Sequence, residues 1–143
     1  MCRLGGYVAA RDADYLATTW YPPDPRLDRW LELYRAVARG NGAEPDAGRR
    51  LLAWAHAARY REVVSTATVW CYGTPQGRPG GVGCGRNASR APPRLRECRS
   101  RRWPGGWLTK VELDDLAVGW RHWATHPDGW FAILNAEVLC SVT

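Results

Sequence analysis

Apolar and polar positions alternate most clearly near the C-terminus. From Trp130 to Leu139, Trp130, Ala132, Leu134, Ala136 and Val138 share one face of an extended chain, and Phe131, Ile133, Asn135, Glu137 and Leu139 share the other. Both faces are largely apolar, which predicts an interior strand covered on both sides, entered through the turn Pro127-Asp128-Gly129. Two further stretches read as strands beside it, Gly6–Arg11 and the β-branched run Glu62–Tyr72. Helical spacing links Leu27, Trp30, Leu31, Tyr34, Val37 and Ala38. Asp24 is placed to cap that helix, Pro25 stands at its first position, and Gly40-Asn41-Gly42 stops it. A second helix is predicted from Ala47 to about Arg59, burying Leu51, Leu52, Trp54, Ala55 and Ala58. A third starts at the capping box Thr109-Lys110-Val111-Glu112 and presents Leu113, Leu116, Ala117, Trp120, Trp123 and Ala124 up to His126-Pro127. Thr18–Pro23 reads as a loop. The pattern is α/β: a small mixed sheet with the C-terminal strand central, flanked by helices.

At 143 residues the chain is expected to form a single domain or part of one. No apolar run reaches the length of a membrane helix and no signal-peptide core is visible, so a cytoplasmic location is expected. Five cysteines without regular spacing argue against a disulfide framework. Cys71 and Cys140 lie within strands and read as small buried hydrophobes.

The net charge of +6 is concentrated. Eight of the 20 basic residues lie between Arg78 and Arg102, with Glu97 the lone acid, and the remainder is near neutral. Residues 73–106 also hold eight of the 15 glycines and five of the ten prolines, with no helical or strand period. A disordered basic insert is one reading of this stretch, and non-specific phosphate binding by the arginines is another. A third is translation out of frame. Across the codons of Arg78–Arg90, the register one base away permits W-W-G-G-L-W-A-E-R-V-T, which would start an amphipathic helix.

Cys2–Tyr15, with its Gly5-Gly6 turn before a strand, resembles the (R/K)PGG-strand segment of class I S-adenosylmethionine-dependent methyltransferases of the ubiquinone/menaquinone type. Thr19-Trp20-Tyr21-Pro22, Leu27-Asp28-Arg29-Trp30, Asn41–Leu52 and Asp128–Ala132 are similar to the C-terminal half of an actinobacterial-type branch of that family. Leu4 stands where the pattern has Pro, and Asn135-Ala136 where it has His-Gly. The resemblance implies a partial Rossmann-like methyltransferase domain in which Gly6–Arg11, Glu62–Tyr72 and Trp130–Cys140 are the fifth, sixth and seventh strands, with the seventh antiparallel between the other two. It implies S-adenosylmethionine as cofactor, but the glycine-rich turn and the acidic residue that hold the cofactor in that family have no counterpart here.

By the same resemblance Asp12, Asp14, Tyr15 and Trp20 line the side that receives a small-molecule acceptor. Asp12 or Asp14 could orient or deprotonate it, or both could be solvated strand-end residues. His122 and His126 have i,i+4 spacing without a third metal ligand nearby, so no metal site is expected. The resulting expectation is a methyltransferase fragment, inactive alone, with an exposed sheet edge prone to self-association. The alternative is a small basic nucleic-acid-binding protein using Arg78–Arg102.

Overall fold

The computed structural model describes residues 5–73 and 109–142. In order these form β1 (Tyr7–Tyr21), α1 (Pro25–Gly40), a 3₁₀ turn (Gly48–Arg50), α2 (Leu51–Ala57), β2 (Val63–Cys71), α3 (Lys110–Thr125) and β3 (Trp130–Ser141). The Arg78–Arg102 run and the out-of-frame reading of it lie outside the described residues. No described helix is long and apolar enough to cross a membrane.

The residues divide into two units. One comprises residues 5–19, 31–71 and 131–142 and contains the sheet, whose order is β1-β3-β2. The last strand is central, as its two apolar faces predict. β2 runs antiparallel to β3, from Val63 opposite Cys140 to Cys71 opposite Ala132. β1 is also antiparallel to β3. Their pairing opens with Gly5 N–H donating to Val142 O at 2.7 Å and Val142 N–H donating to Gly6 O at 2.9 Å. With Gly5 at φ +76°, this is a glycine bulge that sets two residues of one strand against one of the other. The described sheet is therefore antiparallel throughout rather than mixed. The two outer strands run parallel to each other, but the last strand separates them.

One face of β3 packs on α2, where Leu51, Ala55, Val138 and Cys140 form a buried cluster joined by Val8, Tyr60, Val63 and Ala136. On the other face Asn135 is buried and turns its Nδ2 to the Ile133 carbonyl at 3.2 Å.

Three expectations are corrected here. β1 continues to Tyr21, through the segment expected to be a loop, because Thr18, Thr19, Trp20 and Tyr21 all favour extended backbone. The second helix is shorter than expected: only Leu51–Ala57 is α-helical, so one i,i+4 pair, Leu51 and Ala55, is buried while Leu52 and Trp54 stay exposed. Cys71 is exposed, since β2 is an outer strand of the described sheet; Cys140, on the central strand, is buried as expected.

The second unit comprises residues 20–30 and the described part of 72–130. Asp24 caps α1 as its position predicts, its Oδ1 accepting the Arg26 N–H at 2.9 Å. The capping box is formed: Thr109 Oγ1 accepts the Glu112 N–H, and Glu112 Oε2 accepts the Thr109 N–H at 2.7 Å. Glu112's carboxyl is held below its usual range by these bonds, first among them the one from the Thr109 backbone. Leu27, Trp30, Leu116 and Trp123 are buried. Trp120 stands edge-on to both Trp30 and Trp123, at 4.8 and 5.5 Å, and Trp123 Nε1–H donates to the Trp130 carbonyl at 3.0 Å. These indoles build core, as their helical spacing implied.

Candidate functional site

Of the residues expected to meet an acceptor, Asp12, Asp14 and Tyr15 sit along β1 beside the segment 44–49. Gly48 makes the close approach possible: a Cβ there would lie 3.0 Å from the Asp12 carbonyl oxygen and 3.1 Å from Asp14 Cβ. Tyr15 N–H donates to the Pro45 carbonyl at 3.2 Å, and Leu16 N–H to Asp46 Oδ1 at 3.0 Å.

The ionic groups then interlock. Asp14, 2% exposed, accepts Arg49 Nε at 2.7 Å and Nη2 at 2.9 Å. Asp46, also buried, accepts Arg35 Nε at 3.0 Å and Nη2 at 2.7 Å, and Arg39 Nη2 at 2.5 Å. Glu44 reaches Arg50 at 3.1 Å. Burial pushes the Asp46 carboxyl up, but the bonds from Arg35 and the charges of Arg35 and Arg39 outweigh it, so the net shift is downward. Arg49 is shifted upward, chiefly by its bonds to Asp14.

Both oxygens of Asp14 are therefore spent on a guanidinium, and its place is to tie β1 to the 3₁₀ turn. Asp12 differs: it is exposed, and one oxygen accepts the Ala13 N–H at 2.8 Å. Of the two aspartates it is the one open to a ligand. Tyr15 stacks on Tyr34 with ring centroids 4.1 Å apart. Trp20 belongs to the second unit.

Sequence reasoning did not find a second cluster, on the sheet face away from α2. Arg11 Nε lies 3.2 Å from Glu137 Oε1, and Glu137 also accepts the hydroxyls of Thr66 at 3.1 Å and Thr68 at 3.0 Å. Arg11 Nη2 donates to Thr68 Oγ1 at 2.8 Å, and its guanidinium lies 5.1 Å from the Trp70 ring centre. Ala9, Arg11, Val64, Thr66, Glu137 and Leu139 line an open groove of about 480 Å³ here. The available signal was the like-facing polar set Thr66, Thr68 and Glu137 on two strands expected to be neighbours.

In the second unit Asp24 Oδ2 accepts Arg26 Nη2 at 2.6 Å and lies 3.5 Å from His122 Nδ1. His126 Nδ1 accepts the Asp128 N–H at 3.1 Å, and the rings of His122 and His126 are 6.0 Å apart. Among the described residues no group of three or more His, Cys, Asp or Glu could hold a metal ion.

S-adenosylmethionine finds no matching cradle among the described residues. The described turn from a strand into an α-helix, Pro22-Pro23-Asp24, is closed: Asp24 occupies the N-terminus of α1, and Pro25 has no N–H to offer.

No protein-family model matches the chain. A curated protein of Schizosaccharomyces pombe, described as an uncharacterized methyltransferase, is 36% identical over 76 residues, which are 52% of this chain. The likeness spans only 27% of that relative's length. The chain is thus a distant sequence relative, over part of its length, of a methyltransferase.

Proposed function

We propose that these residues form the acceptor-side half of a methyltransferase that uses S-adenosylmethionine and a small-molecule acceptor. The observation that carries the proposal is the strand order β1-β3-β2, with the last strand antiparallel between two that run parallel to each other. This is the arrangement the family resemblance implied for strands five, seven and six. The yeast relative supports the same class independently. Asp12 is the acceptor contact in this reading. Asp14 holds the segment in place through Arg49, and the Tyr15–Tyr34 stack stiffens it.

In this reading a separate half holds the cofactor, and the chain by itself carries no turnover. The test is equilibrium dialysis with radiolabelled S-adenosylmethionine, run on the purified chain and on a fusion that supplies a cofactor-binding half ahead of Met1. Retention and methyl transfer by the fusion but not by the chain are expected. Turnover by the chain alone, or a fusion whose two parts melt independently in the presence of cofactor, overturns the proposal.

A further inference from the structure

We propose that the open edge of β1 pairs with the same edge of a second copy of the chain, antiparallel and centred on Ala9. The inference stands whether or not the methyltransferase reading holds.

It starts from which backbone groups of β1 are already in use. Val142 N–H bonds to Gly6 O, so even-numbered residues along the start of β1 face β3 and odd-numbered ones face outward. Ser141 N–H bonds to Glu62 O on the opposite side of β3, which fixes the same alternation independently. The outward groups therefore belong to Tyr7, Ala9, Arg11, Ala13 and Tyr15. The last two are not available: Asp12 Oδ1 takes the Ala13 N–H, and Pro45 O takes the Tyr15 N–H. At the other end the edge begins at the Gly5 bulge. Among the described residues, the open ladder is Tyr7, Ala9 and Arg11.

That short run is its own complement. An antiparallel pair with two-fold symmetry places one residue opposite itself, and the midpoint of the open run is Ala9. Ala9 then exchanges both backbone bonds with the partner's Ala9, where its methyl leaves the axis uncrowded. Tyr7 falls opposite the partner's Arg11, and Arg11 opposite the partner's Tyr7, each pair again exchanging two backbone bonds. Opposite residues share a face, so each Tyr7 ring, 70% exposed in the single chain, comes beside a guanidinium that already lies against Trp70. Glu137 already balances the Arg11 charge, so the two copies do not bring uncompensated cations together. The product is a six-stranded sheet, β2-β3-β1 continued by the partner's β1-β3-β2. Its contact is narrow, and a weak, concentration-dependent dimer is expected.

Sedimentation equilibrium of the full chain across a wide concentration range tests this. Three variants fix the register. Tyr7→Lys, on an exposed side chain, sets a cation opposite Arg11 at both ends and is expected to weaken dimerisation at least tenfold with an unchanged melting curve. Ala9→Pro removes the central donor and is expected to leave only monomer. Ala9→Cys is expected to give, on oxidation, a disulfide that joins the introduced thiols of the two copies, identified by peptide mass spectrometry against the native cysteines. A monomer at every concentration overturns the proposal. So does a dimer that Tyr7→Lys leaves intact, which holds even where Ala9→Pro fails to fold. An introduced thiol linked only to native cysteines overturns it as well.

Discussion

Arg49 grips Asp14 with two parallel bonds, Nε to Oδ2 at 2.7 Å and Nη2 to Oδ1 at 2.9 Å, across 35 residues of sequence. The two partners are unlike: the carboxylate is buried and the guanidinium is nearly half exposed. Removing one is therefore not equivalent to removing the other. Arg49→Met strands an ionised group in the interior, and stranding the Asp14 carboxylate is expected to destabilise the fold by about 3 kcal/mol. Asp14→Leu together with Arg49→Met leaves no unpaired charge at this junction and is expected to recover most of that loss. Urea midpoints of the single and double variants check it, and an additive loss in the double variant contradicts it.

Gly48 makes the same junction possible, and it does so by size. A Cβ at this position meets the Asp12 carbonyl oxygen at 3.0 Å, the Ala13 carbonyl carbon at 3.1 Å and Asp14 Cβ at 3.1 Å. None of these is the loose end of a side chain, so β1 must move away from the 3₁₀ turn. Gly48→Ala is expected to cost about 2 kcal/mol. The Tyr15 amide, held to Pro45 O, is expected to lose protection from hydrogen exchange before the β2–β3 ladder does. Unchanged protection at Tyr15 means the strand accommodates the methyl.

This junction shows which parts of the molecule are legible in its sequence. The Thr109–Glu112 box, the Asp24 cap and the central place of β3 depend on residues within a few positions of each other or on one alternating pattern, and all three are present. The grouping of Asp14 with Arg49, and of Asp46 with Arg35 and Arg39, depends on tertiary placement that no spacing rule encodes. Asp46 directly precedes the stretch expected to be the second helix, and it is where two arginines meet the Leu16 amide. Leu52 and Trp54 misled for a different reason. Their spacing describes a helix with a wide apolar face, but α2 lasts seven residues and covers only what one i,i+4 pair can reach.

Acid should weaken the second unit through Asp24. The bonds from the Arg26 side chain, more than burial opposes, hold its carboxyl at about 2, against 3.8 for an ordinary aspartate. A carboxyl whose pKa is lower in the folded chain binds its proton more readily when unfolded. The stabilisation is thus fully present above pH 3.8 and is lost as pH falls through about 2. Its size is about 2 kcal/mol. Asn is also a good helix cap, so Asp24→Asn keeps the bond to the Arg26 amide and removes the charge. The stability difference between wild type and Asp24→Asn is expected to shrink toward zero as pH falls from 4 to 2. A difference that persists at pH 2 assigns the acid sensitivity elsewhere.

One change should make the protein more stable than it is. α2 ends with Arg59 at φ +66°, a left-handed backbone conformation in which a Cβ crowds the following carbonyl. The bonds around it are those of a glycine-type helix stop: Arg59 N–H donates to His56 O at 2.9 Å and Tyr60 N–H to Ala55 O at 3.2 Å. The apolar contact that accompanies this stop is also present, since Tyr60 packs on the cluster that contains Ala55. Everything in the motif is therefore in place except the residue that adopts it without strain. Arg59 is exposed and makes no ion pair among those described, so the side chain is dispensable there. Arg59→Gly is expected to raise stability by about 1 kcal/mol after the added freedom of the unfolded chain is counted. Arg59→Ala keeps the Cβ and is expected to give no gain. Thermal melts of the two variants separate backbone strain from loss of the arginine itself, because equal gains in both would place the cost in the side chain and not in φ.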